Sequence, residues 1–421
     1  MNIPRSINHS AHWFPACFPL AHLSTQLSQT HSIARMIAAC TDNELPPGDS
    51  PELVLVPATP KERVESIKLN STEWKGPLDV DAYLAREDAL HSQRLTKKAL
   101  IVWVLVDRRQ PEDARMILSS CETYRKTAMV ARDGKLEEAS VQGVGSVFCR
   151  SDFRGKGYAR RMFQELSKKM DAWSMDGEHK RKPTFSILYS DIGKKFYAQF
   201  GWKPYLSSHL ALPSTSSGDN SALAALPGVR ALHSNDVENC MCSTSILEKD
   251  RKLLLEESMR TRGPKIAIVP DFDHYLWHWA REEFYAQRLH PNREKPMVKG
   301  GGNDDAKVYC AWNRTFGENP QENTLYILRW VYDEPSSPAE TLKTVKAMAA
   351  ILKCAQLEAQ EWNMAQIKFW NPPALLEKAV ALLDPTAKII HREQDSIASL
   401  RWCGKTDEHV DWLLNERYAW C

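Results

Sequence analysis

The chain has 421 residues, of which 43% are apolar and 26% charged, enough to build the cores of two or three domains and too apolar for a wholly disordered protein. A formal net charge of +2 lacks the basic footprint of a nucleic-acid partner, and no run of about 18 apolar residues predicts a membrane span. Ten cysteines without a CxxC pair predict reduced thiols, with neither a disulfide framework nor a zinc site.

Residues 1–49 are expected to form a flexible extension. The first 41 contain no Asp or Glu and two Arg, a composition shared in part with organelle-targeting peptides. The expectation is a cytoplasmic protein, with mitochondrial import, or a start at Met36, as alternatives. From residue 50 the elements become legible. Thr59-Pro60-Lys61-Glu62 has the N-cap, first-position proline and third-position glutamate of a capped helix running to about Asn70. A second helix is predicted over 80–91. Strand formers then dominate 99–107, 115–131 and 143–150, with a turn at Asp133-Gly134. After Gly157, apolar residues at 159, 162, 163, 166, 170 and 173 follow helical spacing. A strand is predicted over 184–190, then a short helix from Ile192 to Phe200 that Gly201 ends.

Residues 213–222 have linker composition, which divides a first domain, 50–212, from a second, 223–421. In the second, strands over 307–314 and 323–333, a long helix 338–363, a strand 365–370, a helix 373–383 and a strand 396–402 repeat the order of the first. The repeat carries "VYDEPSSPAE" where the first domain has a glycine turn between strand and long helix. Helices set on a sheet predict an α+β fold.

That glycine turn lies in "GVGSVFCRSDFRGKGYARRMF", residues 143–163. A strand that stops at a glycine turn and feeds a helix leaves the first helical N–H groups unpaired at the positive end of the macrodipole, where phosphate binds. Gly155 and Gly157 allow close backbone approach, and Arg154 and Lys156 add charge. The stretch matches neither a dinucleotide fingerprint nor a nucleoside-triphosphate P-loop.

Arg154-Gly155-Lys156-Gly157-Tyr158-Ala159 resembles the [QR]-x-x-G-x-[GA] acetyl-CoA signature of the GNAT N-acetyltransferases, and "FYAQFGW" (196–202) resembles that family's second motif. "LNSTEWKGPL", "ILSSCETYRK", "LYSDIGKKFYAQFGWKPY", "NTLYILRW" and the terminal "NERYAWC" are similar, in order, to the fungal lysine N6-acetyltransferases. The resemblance implies a GNAT-fold mixed sheet flanked by helices, followed by a second, degenerate GNAT-like α+β domain that contributes to the acceptor site. It also implies acetyl-CoA as the donor cosubstrate, no metal, and a small-molecule amine, L-lysine, as acceptor.

Site residues follow from the same resemblance. Ser146, Val147 and Phe148 would flank the pantetheine arm and thioester. Arg154, Gly155, Lys156, Gly157, Tyr158 and Ala159 would hold the pyrophosphate, and Lys156 or Arg160 would reach the nucleotide end. Tyr197 would protonate the departing thiolate, or else is a packed aromatic. A lysine amine, with a reference pKa of about 10.4, must lose a proton; Glu73 is the expected steering carboxylate, the alternative being a solvated surface acid. Trp74, His278 and Glu282 are expected at the acceptor. His274 and His278 stand four apart but lack the remaining ligands of a zinc site. Selecting the distal amine calls for an arginine to hold the α-carboxylate, and Arg281, Arg314, Arg329 and Arg401 are equal candidates. Another small amine as acceptor, or a CoA-binding scaffold without catalysis, are the rival readings.

Overall fold

The computed structural model describes residues 45–112, 114–172, 183–215, 226–404 and 408–420. The expected targeting segment, most of the expected linker and Trp173 therefore lie outside the described residues. Strand β1 (Leu53–Pro57) leads into α1 (Pro60–Trp74) through the expected capping box: Thr59 Oγ1 accepts the Glu62 N–H at 3.2 Å and Glu62 Oε2 accepts the Thr59 N–H at 2.9 Å. The helix runs one turn beyond Asn70, its ladder continuing to the Lys75 N–H, which donates to the Ser71 carbonyl at 3.1 Å, while the Ser71 hydroxyl turns back to the Lys68 carbonyl at 2.6 Å; Gly76, at φ +54°, follows the helix end. Asp79 caps α2 (Val80–His91), its Oδ1 accepting the Ala82 N–H at 2.7 Å.

Strands β2 (Leu100–Asp107), β3 (Ser119–Arg132) and β4 (Lys135–Cys149) form an antiparallel meander, and α3 (Tyr158–Ala172) returns the chain to β5 (Phe185–Ser190), which runs parallel to β4. Met162, Phe163, Leu166 and Met170 form a fully buried stripe on α3, the helical periodicity visible in the sequence. The expected helix from Ile192 to Phe200 is instead a turn followed by one 3₁₀ turn, Tyr197–Phe200. Gly193 at φ +77° interrupts it, while Ser190 Oγ donates to the Gly193 carbonyl at 2.7 Å and accepts the Ile192 N–H at 3.2 Å.

The second half supplies β8 (Arg230–Leu232), α4 (Ser234–Met241), α5 (Thr244–Arg260), β9 (Lys265–Ile268), α6 (Phe272–Leu289), β10 (Gly300–Asn303), β11 (Val308–Thr315), β12 (Thr324–Val331), α7 (Pro338–Glu361), β13 (Gln366–Trp370), α8 (Ala374–Leu383), β14 (Ile390–His391), β15 (Ile397–Trp402) and β16 (Asp411–Trp412). Two sheets result among the described residues, one ordered β1-β2-β3-β4-β5-β15-β6, with β6 at Lys203–Pro204 and β9 paired to β3, and the other centred on β13-β12-β11. Each half exchanges a strand with the other. Strand β7 (Ser208–Pro213) pairs with β13 in register Gln366↔Pro213, and β15 pairs with β5 in register Ile397↔Ser190. The strand predicted over 396–402 thus completes the first sheet rather than the second, and sheet membership crosses the 213–222 division in both directions. Among the described residues no helix is long and apolar enough to cross a membrane.

Candidate active site

Two ladders diverge at the centre of the first sheet. Among the described residues, strands β4 and β5 pair only through Gln142↔Ser186, Gly143↔Ile187 and Val144↔Leu188, so from Gly145 onward the β5-facing edge of β4 meets no strand partner there. An edge of unpaired N–H and C=O groups is a template for an extended ligand. Opposite Cys121 the β3–β4 register slips, which places Ser146 and Val147 in a bulge with Ser146 at φ +49°. Left-handed backbone at a non-glycine residue costs about 1–2 kcal/mol and marks a position that its surroundings enforce.

Beyond Cys149 the chain turns through Ser151–Phe153 and the two glycines, at φ +81° and +88°, into α3. Arg161 makes the first helical bond, from its N–H to the Gly157 carbonyl at 2.9 Å, so the amides of Tyr158 to Arg160 precede the ladder. A Cβ at Gly155 would meet nothing within 4 Å, which leaves open space over the turn. Lys156, Arg154 and Arg160 are exposed around it. The Tyr158 side chain is core, 2% exposed and edge-on to Phe153, so only its backbone can serve an anion. Open space, a helix N-terminus and basic side chains fit a diphosphate, and the separated β4 edge fits the amide-bearing arm that would follow it.

What holds the bulge was not apparent in the sequence. The Ser146 hydroxyl donates to Glu122 Oε2 at 2.7 Å, and Glu122 Oε1 lies 3.2 Å from His91 Nε2. Arg63 Nη2 stands 2.7 Å from His91 Nδ1, which places the imidazole hydrogen on Nε2, toward Glu122. Burial raises the Glu122 pKa, but the His91 contact and charge and the Ser146 hydroxyl outweigh it and hold the carboxyl below its ordinary value. Burial likewise opposes an imidazolium at His91, yet Glu122 and Glu87 together hold its pKa above the usual value. Ligand atoms of Glu87, His91 and Glu122 lie within 4.8 Å of one another. Arg86, whose Nε donates to Glu87 Oε1 at 2.9 Å, and Arg63 supply the positive charge that such a carboxylate pair demands.

Alternation along β3 puts Cys121 and Glu122 on opposite faces. Tyr197 belongs to the Cys121 face, edge-on to Phe163 at 4.9 Å and 6% exposed, and among the described residues its hydroxyl meets no hydrogen-bond partner. Burial pushes its phenol pKa up, with the Asp191 and Cys121 charges adding to it. The separated β4 edge therefore lies between a phenol on one face and a carboxylate–imidazole pair on the other.

The remaining expected residues divide. Trp74 lies edge-on to Phe148 at 6.2 Å, beside that edge. Glu73 is part of the last turn of α1 rather than the loop after it, and it pairs with Arg154 at 2.5 Å, with 45% of its side chain exposed. It sits with the phosphate turn and not with the Glu122–His91 pair. Glu282 leaves the acceptor set, being 0% exposed: one oxygen receives Lys299 Nζ at 2.7 Å, the other the Arg314 N–H and guanidinium. His278 also leaves it, being buried with its Nε2 3.2 Å from the Tyr418 carbonyl and its ring stacked on Trp420. His274 faces Asp271 through Nδ1 at 2.9 Å.

In the second half β12 and β13 also pair only through Thr324↔Gln366 to Tyr326↔Lys368, and the β11–β12 register slips between Ala311 and Trp312. The repeat of architecture is therefore close. The N-terminus of α7, however, is satisfied by its own side chains: Ser337 Oγ accepts the Glu340 N–H at 3.2 Å, and Glu340 Oε2 accepts the Ser336 N–H at 2.7 Å. An anion there would meet a carboxylate.

The profile of the LYC1 GNAT-like C-terminal domain matches residues 209–421. A lysine acetyltransferase of Yarrowia lipolytica is 27% identical over 307 residues, covering 64% of this chain and 74% of that protein. An uncharacterized protein of Saccharomyces cerevisiae is 24% identical over 397 residues, covering 83% of this chain and 93% of its own length. Among solved structures, a GCN5-related N-acetyltransferase from Kribbella flavida aligns with a TM-score of 0.45 and 14% identity, over 83% of this chain and 72% of that one.

Proposed function

This chain belongs to the family marked by the LYC1 GNAT-like C-terminal domain and is an N-acetyltransferase of the GNAT type; from that premise we propose that it moves the acetyl group of acetyl-CoA to the ε-amine of free L-lysine. The observation that carries the reading is the parting of β4 from β5 after Val144↔Leu188, directly upstream of the glycine turn. It offers one continuous track for diphosphate, arm and thioester. The free-lysine assignment draws support from the name of the Yarrowia relative and from the terminal residues 415–421 noted in the sequence.

The reaction needs a C–N bond to form, a C–S bond to break, and two protons to leave the ammonium, one before the attack and one after it. At neutral pH a lysine amine is an ammonium, with a pKa of about 10.4 in water. The Glu122 carboxylate attracts that ammonium, and the Glu122–His91 pair takes its first proton, which frees the lone pair that attacks; the second proton leaves the nitrogen for solvent as the C–S bond breaks and the thiolate departs with the electron pair. Backbone groups of the Ser146–Val147 bulge hold the thioester carbonyl, and the Glu122–Ser146 hydrogen bond at 2.7 Å fixes the bulge. Tyr197 serves the sulfur. Its raised pKa means the phenol keeps its proton and steadies the developing thiolate as a hydrogen-bond donor.

Incubation with acetyl-CoA and a panel of amines, read by mass spectrometry, tests the assignment. Nε-acetyl-lysine is the expected product; a different acetylated amine would reassign the acceptor, and binding of the coenzyme without turnover would leave a scaffold. Tyr197→Phe should lower kcat about 10²-fold through loss of one donor to a developing charge, with acetyl-CoA affinity retained. Unchanged turnover in stopped-flow assays would return Tyr197 to the role of a packed aromatic.

A further inference from the structure

Of the four arginines that could hold an acceptor carboxylate, three are committed to the fold. Arg314 is bound by Glu282 at 3.1 Å and by Glu358, Arg329 Nη2 lies 2.6 and 2.7 Å from the two Asp250 oxygens, and Arg401 lies 2.7 Å from Asp171. Arg281, on α6, is different. Among the described residues no carboxylate pairs with it, and its half-buried guanidinium lies over the rings of Tyr285 and Trp420, at 5.3 and 5.8 Å.

Trp420 also carries a second unpaired cation. The Arg417 guanidinium is 4.4 Å from that ring, 3.7 Å from Tyr326 and 4.7 Å from Trp370, and the residue is 5% exposed. Its Nε is buried without a hydrogen-bond partner. Aromatic faces offset part of the desolvation of a guanidinium, yet a buried cation whose Nε is unmet and that has no ion-pair partner among the described residues, the Asp191 carboxylate acting on it without pairing, is a costly state. Burial, with Arg281 and Arg392 close by, holds the Arg417 pKa down to about 10. The burial of Arg281, with Arg86 near it, lowers that of Arg281 as well. An anion between them removes both penalties.

The position suits one end of a zwitterion. Arg281 feels the charges of Arg86 and Glu87 on α2, and Glu87 Oε2 is 3.8 Å from the His91 ring that meets Glu122. Positive charge without a partner thus marks one end of a wall, and the proton-accepting pair the other. We infer that Arg281, backed by Arg417 across the Trp420 ring, binds the α-carboxylate of an amino-acid acceptor and selects amino acids over plain diamines. The inference rests on the lysine reading for the identity of its ligand, though not for its chemistry.

The test compares L-lysine with cadaverine, the same diamine without the carboxylate, in the wild-type protein, Arg281→Gln and Arg417→Gln. The ratio of kcat/KM for lysine over cadaverine is expected to fall about 100-fold in Arg281→Gln, through KM, because a bidentate charge-assisted contact is lost. Arg281→Lys should recover part of it. Equal losses on both amines would overturn the inference and leave Arg281 a packing residue. Calorimetric titration with norleucine, which has the carboxylate and no distal amine, keeps the two readings apart. Should lysine fail as acceptor, norleucine binding that Arg281→Gln abolishes would still establish the carboxylate site. No binding, or binding indifferent to Arg281→Gln, would refute it.

Discussion

Glu122→Gln should lower kcat by about 10²- to 10⁴-fold while leaving acetyl-CoA affinity in place, the range expected when a positioned proton acceptor is removed. The substitution is nearly isosteric, and a glutamine carbonyl can still accept the Ser146 hydroxyl that now lies 2.7 Å from Oε2. The bulge should therefore persist. Loss of turnover would then report loss of the negative charge rather than of the fold, and a circular-dichroism melt checks the second possibility. Turnover within a few-fold of wild type would end the proton-accepting role of the pair.

The pH profile carries an independent signature. Glu122 is the foremost of the groups that raise the His91 pKa against burial, with Glu87 adding to it and Arg63 opposing. Without the Glu122 charge, burial gains weight and the His91 pKa falls, so the acidic limb of kcat/KM in any residual activity should move to lower pH. Stability is linked to the same group. A histidine whose pKa rises on folding contributes stability that is fully present below its unfolded value of about 6.5 and is lost as pH climbs through the folded value. That loss on raising the pH should be present in denaturant titrations of the wild-type protein and smaller in Glu122→Gln.

The glycine turn was visible in the sequence because its chemistry is local. Two glycines at positive φ, basic neighbours and a helical stripe beginning at Tyr158 all fall within some twenty residues, and each is dictated by the backbone it serves. The Glu122–His91 pair was not visible, since it joins β3 to α2 across thirty-one positions and carries no motif. The one signal is a glutamate set inside a predicted strand, where it is buried with its neighbours, and buried acids are rare without a partner. Glu282 misled for the opposite reason: its partners Lys299 and Arg314 are distant in sequence, so an enclosed ion pair looked like an available acid. The strand exchange was equally hidden. Residues 208–213 alternate and 397–402 open on a buried run, patterns that either sheet can satisfy, and the choice is made by pairing partners on β13 and β5.

Gly157→Trp should weaken acetyl-CoA binding by at least about 100-fold in calorimetric titration, from two effects that add. A side chain at φ +88° costs roughly 1–2 kcal/mol in backbone strain, and relief of that strain turns the neighbouring amides away from the spot on which they converge. The indole must also occupy space at the entrance to α3, for the Cβ already meets the Gly48 backbone at 3.5 Å and so has little room on that side. Gly48 itself is pressed against the turn, where a Cβ would stand 2.5 Å from the Lys156 carbonyl, so the loop cannot retreat toward it. The α3 stripe of Met162, Phe163, Leu166 and Met170 lies beyond the altered turn, and its burial should keep the domain folded with a melting temperature only a few degrees lower. A folded variant that binds acetyl-CoA as tightly as the wild type would mean that the diphosphate is held elsewhere. The amides ahead of Arg161 would then be only a tight connection between strand and helix.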